Sequence, residues 1–179
     1  AGSIGADTLV GGTGSDTADY AGATESVTVS LLTNVGIGGD AEGDSFVGIE
    51  NITGSGGNDS LVGDANANIL DGSAGDDILV GGAGSDTLTG GFGNDMVDYS
   101  SSNAAVTVNL TTNSASGGDA QGDSIMGIEA VRGSVYSDSL IGDGGANVLD
   151  GIAGGDTRGG GAGAETLTGG EGIDTVDYS

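Results

Sequence analysis

The stretch Gly81-Gly82-Ala83-Gly84-Ser85-Asp86-Thr87-Leu88-Thr89 is one copy of a nine-residue unit, here called a tile, that recurs along most of the sequence. The tiles 54–62, 63–71, 72–80 and 90–98 adjoin it in the same frame without a gap. In each of these tiles glycine comes first, an acid or amide comes sixth and an aliphatic residue comes eighth. Residues 2–19 hold two further tiles and residues 133–177 hold five, so the tile dominates the chain.

The spacing within the tile predicts a turn followed by a short strand. Glycine adopts positive φ without steric cost, so the glycine-rich first half suits a turn. Side chains two positions apart share one face of a strand, which places the eighth residue inward together with the sixth. A strand of three residues buries too little surface by itself, and we therefore expect coils of two tiles each to stack. Tiles n and n+2 then lie directly above each other, about 4.8 Å apart.

This stacking brings acidic side chains into columns. Asp59, Asp77 and Asp95 occupy the sixth position of alternate tiles and form one such column. Bare carboxylates at this spacing repel one another. Calcium accepts six to eight oxygen ligands, both carboxylate and carbonyl, in flexible geometry. The sequence therefore predicts calcium ions between stacked tiles.

The tile resembles the repeat GGxGxDxUx of the RTX, or hemolysin-type, calcium-binding family. The resemblance implies an all-β chain folded as a right-handed parallel β-roll, a β-solenoid with several Ca²⁺ ions between its turns. It also implies a structural module of a secreted bacterial protein, exported by type I secretion and folded outside the cell when it binds calcium. A binding module for polysaccharide, a cell surface or ice is the alternative.

On this pattern the expected ligands are the sixth-position carboxylates and the backbone carbonyls of the first and third positions. Asn68 and Asn147 offer only a neutral oxygen, so weak or empty sites are expected there. For Glu50 and Glu129 two roles stay open, calcium ligation or hydrogen bonding to turn backbone. The carboxylate set is Asp7, Asp16, Asp44, Asp59, Asp77, Asp86, Asp95, Asp123, Asp138, Asp156 and Asp174. The carbonyl set is Gly54, Gly56, Gly72, Ala74, Gly81, Ala83, Gly90, Phe92, Gly151, Ala153, Gly169 and Glu171.

A longer period of 79 residues relates Tyr20, Tyr99 and Tyr178. It divides the chain into the end of a preceding unit, 1–19, and two complete units, 20–98 and 99–177. Residues 27–31 alternate as a half-buried strand, and residues 39–47 form a degenerate tile. We expect one continuous solenoid over 1–179, a monomeric fragment of a larger repeat protein. A small capping β-element between two rolls is the alternative.

Composition excludes several classes of function. The net charge is −25, and Arg132 and Arg158 are the only cationic side chains. Nucleic acid and anionic membrane are therefore unsuitable partners, while cations are suitable ones. The chain has no histidine, cysteine or lysine, which removes most catalytic constellations, and we do not expect an enzyme. A disordered acidic segment is the alternative for such charge, and we expect it for the calcium-free chain.

The tile 151–159 departs from the pattern, because Arg158 stands at the eighth position where the preceding unit has Leu79. The next tile carries Glu165 at the sixth position. A guanidinium in a narrow apolar interior is costly unless it is paired. We expect a locally distorted coil, with Arg158 turned toward solvent or a carboxylate and an empty or irregular site beside Asn147 and Glu165.

Overall fold

The computed structural model describes residues 3–177, and within them the chain forms short strands joined by glycine-rich turns. Its helical content there consists of two 3-10 turns, Gly39–Ala41 and Gly118–Ala120, and no helix in this range is long and apolar enough to cross a membrane. The strands are β1 (Thr8–Val10), β2 (Thr17–Asp19), β3 (Thr28–Ser30), β4 (Val35–Ile37), β5 (Ser45–Val47), β6 (Asn51–Thr53), β7 (Ser60–Val62), β8 (Ile69–Ala74), β9 (Ile78–Val80), β10 (Thr87–Phe92), β11 (Met96–Asp98), β12 (Thr107–Asn109), β13 (Ser114–Ser116), β14 (Ser124–Met126), β15 (Ala130–Arg132), β16 (Ser139–Ile141), β17 (Val148–Asp150), β18 (Thr157–Gly159), β19 (Thr166–Thr168) and β20 (Thr175–Asp177).

These strands form two sheets of ten strands each. The first sheet has the order β1-β5-β4-β3-β7-β9-β11-β15-β17-β19, and the second has the order β2-β6-β8-β10-β14-β13-β12-β16-β18-β20. Consecutive strands of a tile block alternate between the sheets, since each tile begins with a turn that carries the chain across. The all-β parallel roll expected from the tile is confirmed.

Within the tile blocks 54–98 and 133–177 the strands pair in parallel with strands 18 residues away. Leu61 of β7 lies opposite Leu79 of β9, and Leu70 of β8 lies opposite Leu88 of β10. The stacking of tile n on tile n+2 is therefore confirmed. The pairing in register puts residues of the same tile position next to each other on both faces.

The core is a narrow stack of eighth-position side chains. Leu61, Leu70, Leu79, Leu88 and Val97 are fully buried and belong to one hydrophobic cluster that continues through both units. Burying an aliphatic side chain of this size stabilises the fold by about 1.5–3 kcal/mol. With only one such residue per strand, any polar group that reaches the interior has large effects on stability.

Between tile blocks the chain makes an antiparallel excursion that the sequence analysis missed. In the first unit β3 turns back through β4, which pairs antiparallel with both β3 and β5. Asn34 sits in this turn at φ 58, a conformation that asparagine tolerates better than most residues. After the excursion β5 pairs in parallel with β1, and Phe46 lies opposite Leu9. Residues 39–47 thus end in a tile-like strand, as expected.

Each 79-residue unit contributes nine strands, so corresponding strands of the two units fall in opposite sheets. The excursion β3-β4-β5 lies in the first sheet, and its equivalent β12-β13-β14 lies in the second. Each excursion adds two strands to one sheet only. Because the two excursions lie in different sheets, the sheets have equal numbers of strands. The prediction that residues 1–179 form one folding unit stays a prediction.

Tyr20 and Tyr99 lie at equivalent positions and are almost completely buried in the core. Both directly follow the last strand of a tile block and pack in the hydrophobic cluster there. Tyr178, the third member of the series, lies outside the described residues.

Candidate metal sites

The sixth-position side chains lie just before the first residue of each strand. Along each sheet they form a series of hydrogen bonds from coil to coil, here called the ladder. Oδ1 of Asp77 accepts a hydrogen bond from the backbone N–H of Asp59 at 2.7 Å, and Oδ1 of Asp95 accepts one from Asp77 at 2.8 Å. In the other column Oδ1 of Asp86 accepts from the backbone N–H of Asn68 at 2.8 Å. One oxygen of each carboxylate thus joins its coil to the coil before it.

The second oxygen of several of these carboxylates has no donor. Among the described residues, buried oxygens that accept no hydrogen bond are Oδ2 of Asp16, Asp77, Asp86, Asp95 and Asp156 and Oε1 of Glu165. A buried acceptor without a partner costs about 1–3 kcal/mol, and more when it is charged. These oxygens therefore need positive charge beside them.

Glycine at the first tile position leaves the space that these oxygens face. A Cβ built on Gly72 would overlap Oδ2 of Asp77 and would lie 2.6 Å from the carbonyl oxygen of Gly90. A Cβ on Gly90 would in turn lie 2.5 Å from Oδ2 of Asp95 and would overlap the carbonyl oxygen of Gly127. We call such a space a cradle. These two cradles each bring a carboxylate oxygen of one coil close to a carbonyl oxygen of the next, and hard oxygen donors of both kinds suit calcium.

The carbonyls of Gly48 and Gly127 were missed by the sequence analysis. A Cβ on Gly11 would overlap the carbonyl oxygen of Gly48, just as one on Gly90 would overlap that of Gly127. Gly48 and Gly127 each open a six-residue segment, 48–53 or 127–132, that directly precedes a tile block. They recur at the 79-residue period, which is the signal that could have found them. Each has positive φ, 60 and 59.

Burial leaves the columns electrostatically unbalanced. Desolvation, with the charges of Asp59 and Asp95 adding to it, raises the pKa of Asp77 to about 7 although a backbone hydrogen bond opposes the shift. Desolvation likewise raises the pKa of Asp86 to about 7. Burial also raises the pKa values of the Asp95, Asp123 and Asp156 carboxyl groups. A cation in the cradles would reverse these shifts.

At the start of each tile block the chain supplies its own donors instead. Oδ1 of Asp59 accepts from the Ser55 hydroxyl and from the backbone N–H of Val27, both at 2.7 Å, while Oδ2 accepts from the Ser55 N–H. Asp138 has the same contacts with Ser134 and Val106. Both carboxylates are therefore hydrogen-bonded at each oxygen, which sequence analysis did not anticipate.

Tyrosine and asparagine side chains fill the same role elsewhere in the ladder. The Tyr20 hydroxyl donates to Oδ2 of Asp44 at 2.6 Å, and that of Tyr99 donates to Oδ2 of Asp123 at 2.9 Å. Burial and these carboxylates raise the pKa of both phenols. The Asn68 amide donates to the carbonyl of Glu50 at 2.7 Å. In these coils an amide or hydroxyl group therefore supplies a hydrogen-bond donor, whereas the sixth positions of Asp77, Asp86 and Asp95 have only carboxylate oxygens.

Two further expectations are settled by contacts. Glu50 and Glu129 accept hydrogen bonds from the backbone N–H groups of Asp16 and Asp95, so they bind turn backbone, one of the two roles left open. Glu165 keeps the ladder regular, because its Oε2 accepts from the N–H of Asn147 at 3.1 Å. Its Cγ would lie 2.5 Å from a Cβ on Gly160, so a methylene group fills that cradle.

The prediction of a distorted coil around Arg158 is wrong. Its strand pairs regularly, with Arg158 opposite Leu140 and Val176, and the residue is only 2% exposed. The other half of the expectation holds, since the guanidinium lies beside the carboxylates of Asp156 and Asp174.

The remaining expected ligands differ in their surroundings. Asp7 lies at the end of its column and accepts hydrogen bonds from Ser3, and Oδ1 of Asp174 accepts from the N–H of Asp156. Among the third-position carbonyls, those of Phe92 and Glu171 already accept backbone hydrogen bonds. Within residues 3–177 no three acidic side chains converge as a metal centre made of side chains alone, so any ion here requires backbone oxygens as well.

Comparison with known families agrees with this arrangement. A profile described as the RTX calcium-binding nonapeptide repeat, four copies long, matches residues 1–19, 45–79, 71–103, 122–157 and 159–177. The chain belongs to the RTX calcium-binding nonapeptide-repeat family. A search of curated proteins finds no significant match to the chain.

Membership of the RTX family makes this chain a calcium-binding structural module. The residues present fit the ion, because buried carboxylate oxygens without donors face carbonyl oxygens across the glycine cradles. The matched ranges leave out residues 20–44 and 104–121. Both gaps contain the antiparallel excursions, where the tile pattern is interrupted.

Proposed function

We propose that this RTX chain is the calcium-dependent structural module of a secreted bacterial protein, and that its ions bind at the cradles of Asp16, Asp77, Asp86 and Asp95. The observation that supports this assignment is the buried Oδ2 of each residue, which accepts no hydrogen bond. At Asp16, Asp77 and Asp95 the cradle also borders a carbonyl oxygen of the next coil. Bound calcium supplies the positive charge that these columns otherwise lack.

The chain's own residues determine where ions are needed. The Oδ1 ladder fixes the carboxylates of Asp77, Asp86 and Asp95, and the first-position glycine keeps the cradle open. Asp59 and Asp138 accept hydrogen bonds from Ser55 and Ser134 at both carboxylate oxygens. We therefore do not assign them as principal calcium ligands. Asp44 and Asp123 are assigned to their tyrosines on the same reasoning.

Paired neutral substitutions test this assignment. Asp77→Asn and Asp59→Asn each remove one charge from the same column and keep the oxygen that accepts the ladder hydrogen bond. Isothermal titration calorimetry should show that Asp77→Asn binds fewer calcium ions than the wild-type chain, whereas Asp59→Asn keeps the wild-type number. Equal losses in the two variants would contradict the assignment of the cradles.

Secretion is part of the proposal, because a chain that needs calcium to neutralise its columns stays unfolded until calcium is plentiful. We place the folded module outside the cell or on the bacterial surface, as a monomer. The apparent dissociation constant should lie at ~10⁻⁴–10⁻³ M, the range of extracellular calcium modules. Magnesium should substitute poorly, since it requires compact octahedral geometry. A submicromolar constant would instead place folding within reach of cytosolic calcium.

An adhesive or ligand-binding module is the second candidate, and the outward strand positions do not favour it. Where β6, β8 and β10 stack, one outward row reads Ile69 and Thr87 and ends at the buried Asn51. The next row reads Thr53, Asp71 and Thr89. These rows lack the uniform side chains of a flat recognition surface. A glycan array and an ice-recrystallisation assay on the calcium-loaded chain would reveal such binding.

A further inference from the structure

Arg158 is a buried cation inside the roll. It lies in β18 between Leu140 and Val176 in the sheet register, at the eighth tile position. Its side chain is only 3% exposed. Arginine stays protonated in proteins, so this position brings a permanent positive charge into the interior.

The guanidinium reaches back into the ladder of its own sheet. Nη1 lies 3.7 Å from Oδ2 of Asp156 and 3.7 Å from Oδ1 of Asp174. A Cβ on Gly151 would lie 2.9 Å from Nη1, and one on Gly169 would lie 3.0 Å from Nη2. The two terminal nitrogens therefore stand at two successive cradles.

The equivalent coil of the preceding unit has no such group. Gly72, Asp77, Leu79 and Asp95 occupy the corresponding positions, and Leu79 is fully buried. There the nearest atoms to a Cβ on Gly72 are carboxylate atoms of Asp77 and the carbonyl oxygen of Gly90, with no nitrogen among them. The same ladder is thus built once with an arginine in its cradles and once without.

Charge balance explains why the arginine is tolerated. A buried guanidinium is stable only when anions face it, and Asp156 and Asp174 face this one. Arg158 in turn lowers the pKa of Asp156, opposing the effects of burial and of neighbouring carboxylates. The other arginine, Arg132, lies on the outside, where its half-exposed side chain pairs with Asp98 and Asp150.

We propose that Arg158 is an internal cation that takes the place of a calcium ion between Asp156 and Asp174. The coil of Arg158 then binds one ion fewer than the equivalent coil of the first unit, and it folds without calcium. The inference rests on the proposed calcium function, because it concerns which cradles need an ion. Asp156 and Asp174, both expected calcium ligands, are thereby reassigned to an ion pair within the chain.

A reciprocal exchange tests the proposal. Arg158→Leu restores the residue of the equivalent coil and should bind one calcium ion more per chain than the wild type in calorimetric titration. Leu79→Arg should bind one ion fewer. Arg132→Leu, which also removes one positive charge but leaves every cradle untouched, should keep the wild-type number. Should Arg158→Leu lack a β-rich spectrum in calcium, Arg158→Met gives the same comparison.

The outcomes separate the two claims. A wild-type chain that binds calcium and an Arg158→Leu variant that binds the same number would overturn the role of Arg158 alone. An equal gain in Arg132→Leu would also overturn it, because net charge would then be the cause. A wild-type chain that binds no calcium would overturn the proposed function and this inference together.

Discussion

Neutralising Asp77 should stabilise the folded chain when calcium is absent. Burial and the neighbouring carboxylates raise the pKa of Asp77 to about 7, against about 3.9 in an unfolded chain. At 1.36 kcal/mol for each pKa unit, the ionised side chain destabilises the metal-free fold by about 4 kcal/mol. That is a large part of the 5–15 kcal/mol that separates folded and unfolded states in typical domains.

The sign of the effect depends on pH. Between about pH 4 and pH 7 the folded metal-free chain binds more protons at Asp77 than the unfolded chain, so its stability falls as pH rises through this window. At pH 8 the full penalty is present, and Asp77→Asn should remove it. At pH 4 the carboxyl group is largely protonated in the folded chain, and the substitution should change little.

An asparagine already occupies one sixth position, but in the opposite orientation. Oδ1 of Asn68 lies at the Gly63 cradle, and its amide donates to the carbonyl of Glu50 in the preceding coil. In Asp77→Asn the oxygen that accepts from the N–H of Asp59 is kept, and the new amide faces the carbonyl oxygen of Gly90 at the Gly72 cradle. The amide group thus stands beside an acceptor where the carboxylate oxygen had no donor.

Circular dichroism in chelator, with trimethylamine oxide titrations to obtain the free energy of folding, measures the effect at pH 8 and pH 4. Asp59→Asn is the control, because all its carboxylate oxygens already have donors and neutralising it removes one acceptor. The reasoning is refuted if Asp77→Asn brings no gain at pH 8, or an equal gain at pH 4.

Three further predictions concern the same columns. The metal-free wild-type chain should contain more β-structure at pH 5 than at pH 8, while calorimetry should show weaker calcium binding at pH 5, because protons and calcium compete for the raised carboxylates. Ser55→Ala should lower the free energy of unfolding by about 1–3 kcal/mol, since Asp59 loses its hydroxyl donor, without changing the number of bound ions. Gly72→Ala should remove the ion beside Asp77 and lower the melting temperature, because its Cβ overlaps Oδ2 of Asp77 and crowds the carbonyl oxygen of Gly90.

Each of these predictions has its own contrary result. A β-content that rises with pH in chelator would contradict the first. A calcium ion lost from Ser55→Ala would show that Asp59 belongs to a site, against the second. Unchanged calcium stoichiometry in Gly72→Ala would mean that the cradle is not where the ion binds.

Periodicity predicted the parts of this molecule that depend on spacing alone. The nine-residue repeat predicted that Leu61 pairs with Leu79 and that Asp59, Asp77 and Asp95 form a column, because both follow from 18 residues per coil. It also placed Phe46 inside the roll. These features depend on the position of a residue within the repeat, and much less on the identity of the side chains around it.

Features that depend on single side chains were not predictable in this way. The antiparallel excursion rests on a turn at Asn34, and one asparagine in a polar stretch carries little signal. That Ser55 satisfies Asp59, or that Tyr99 reaches Asp123, follows from side-chain contacts across 4 and 24 residues. Arg158 was expected to distort its coil because the sequence alone did not show that two carboxylates lie within its reach.

The most direct test of the account is the far-ultraviolet circular dichroism of the wild-type chain at pH 8, recorded in excess chelator and again as calcium is added. We predict little regular structure in chelator, and a β-rich spectrum that appears in step with calcium binding measured by calorimetry on the same sample. Magnesium at the same concentrations should not produce it. A β-rich spectrum that persists unchanged in excess chelator would contradict the claim that the carboxylate columns couple folding to calcium.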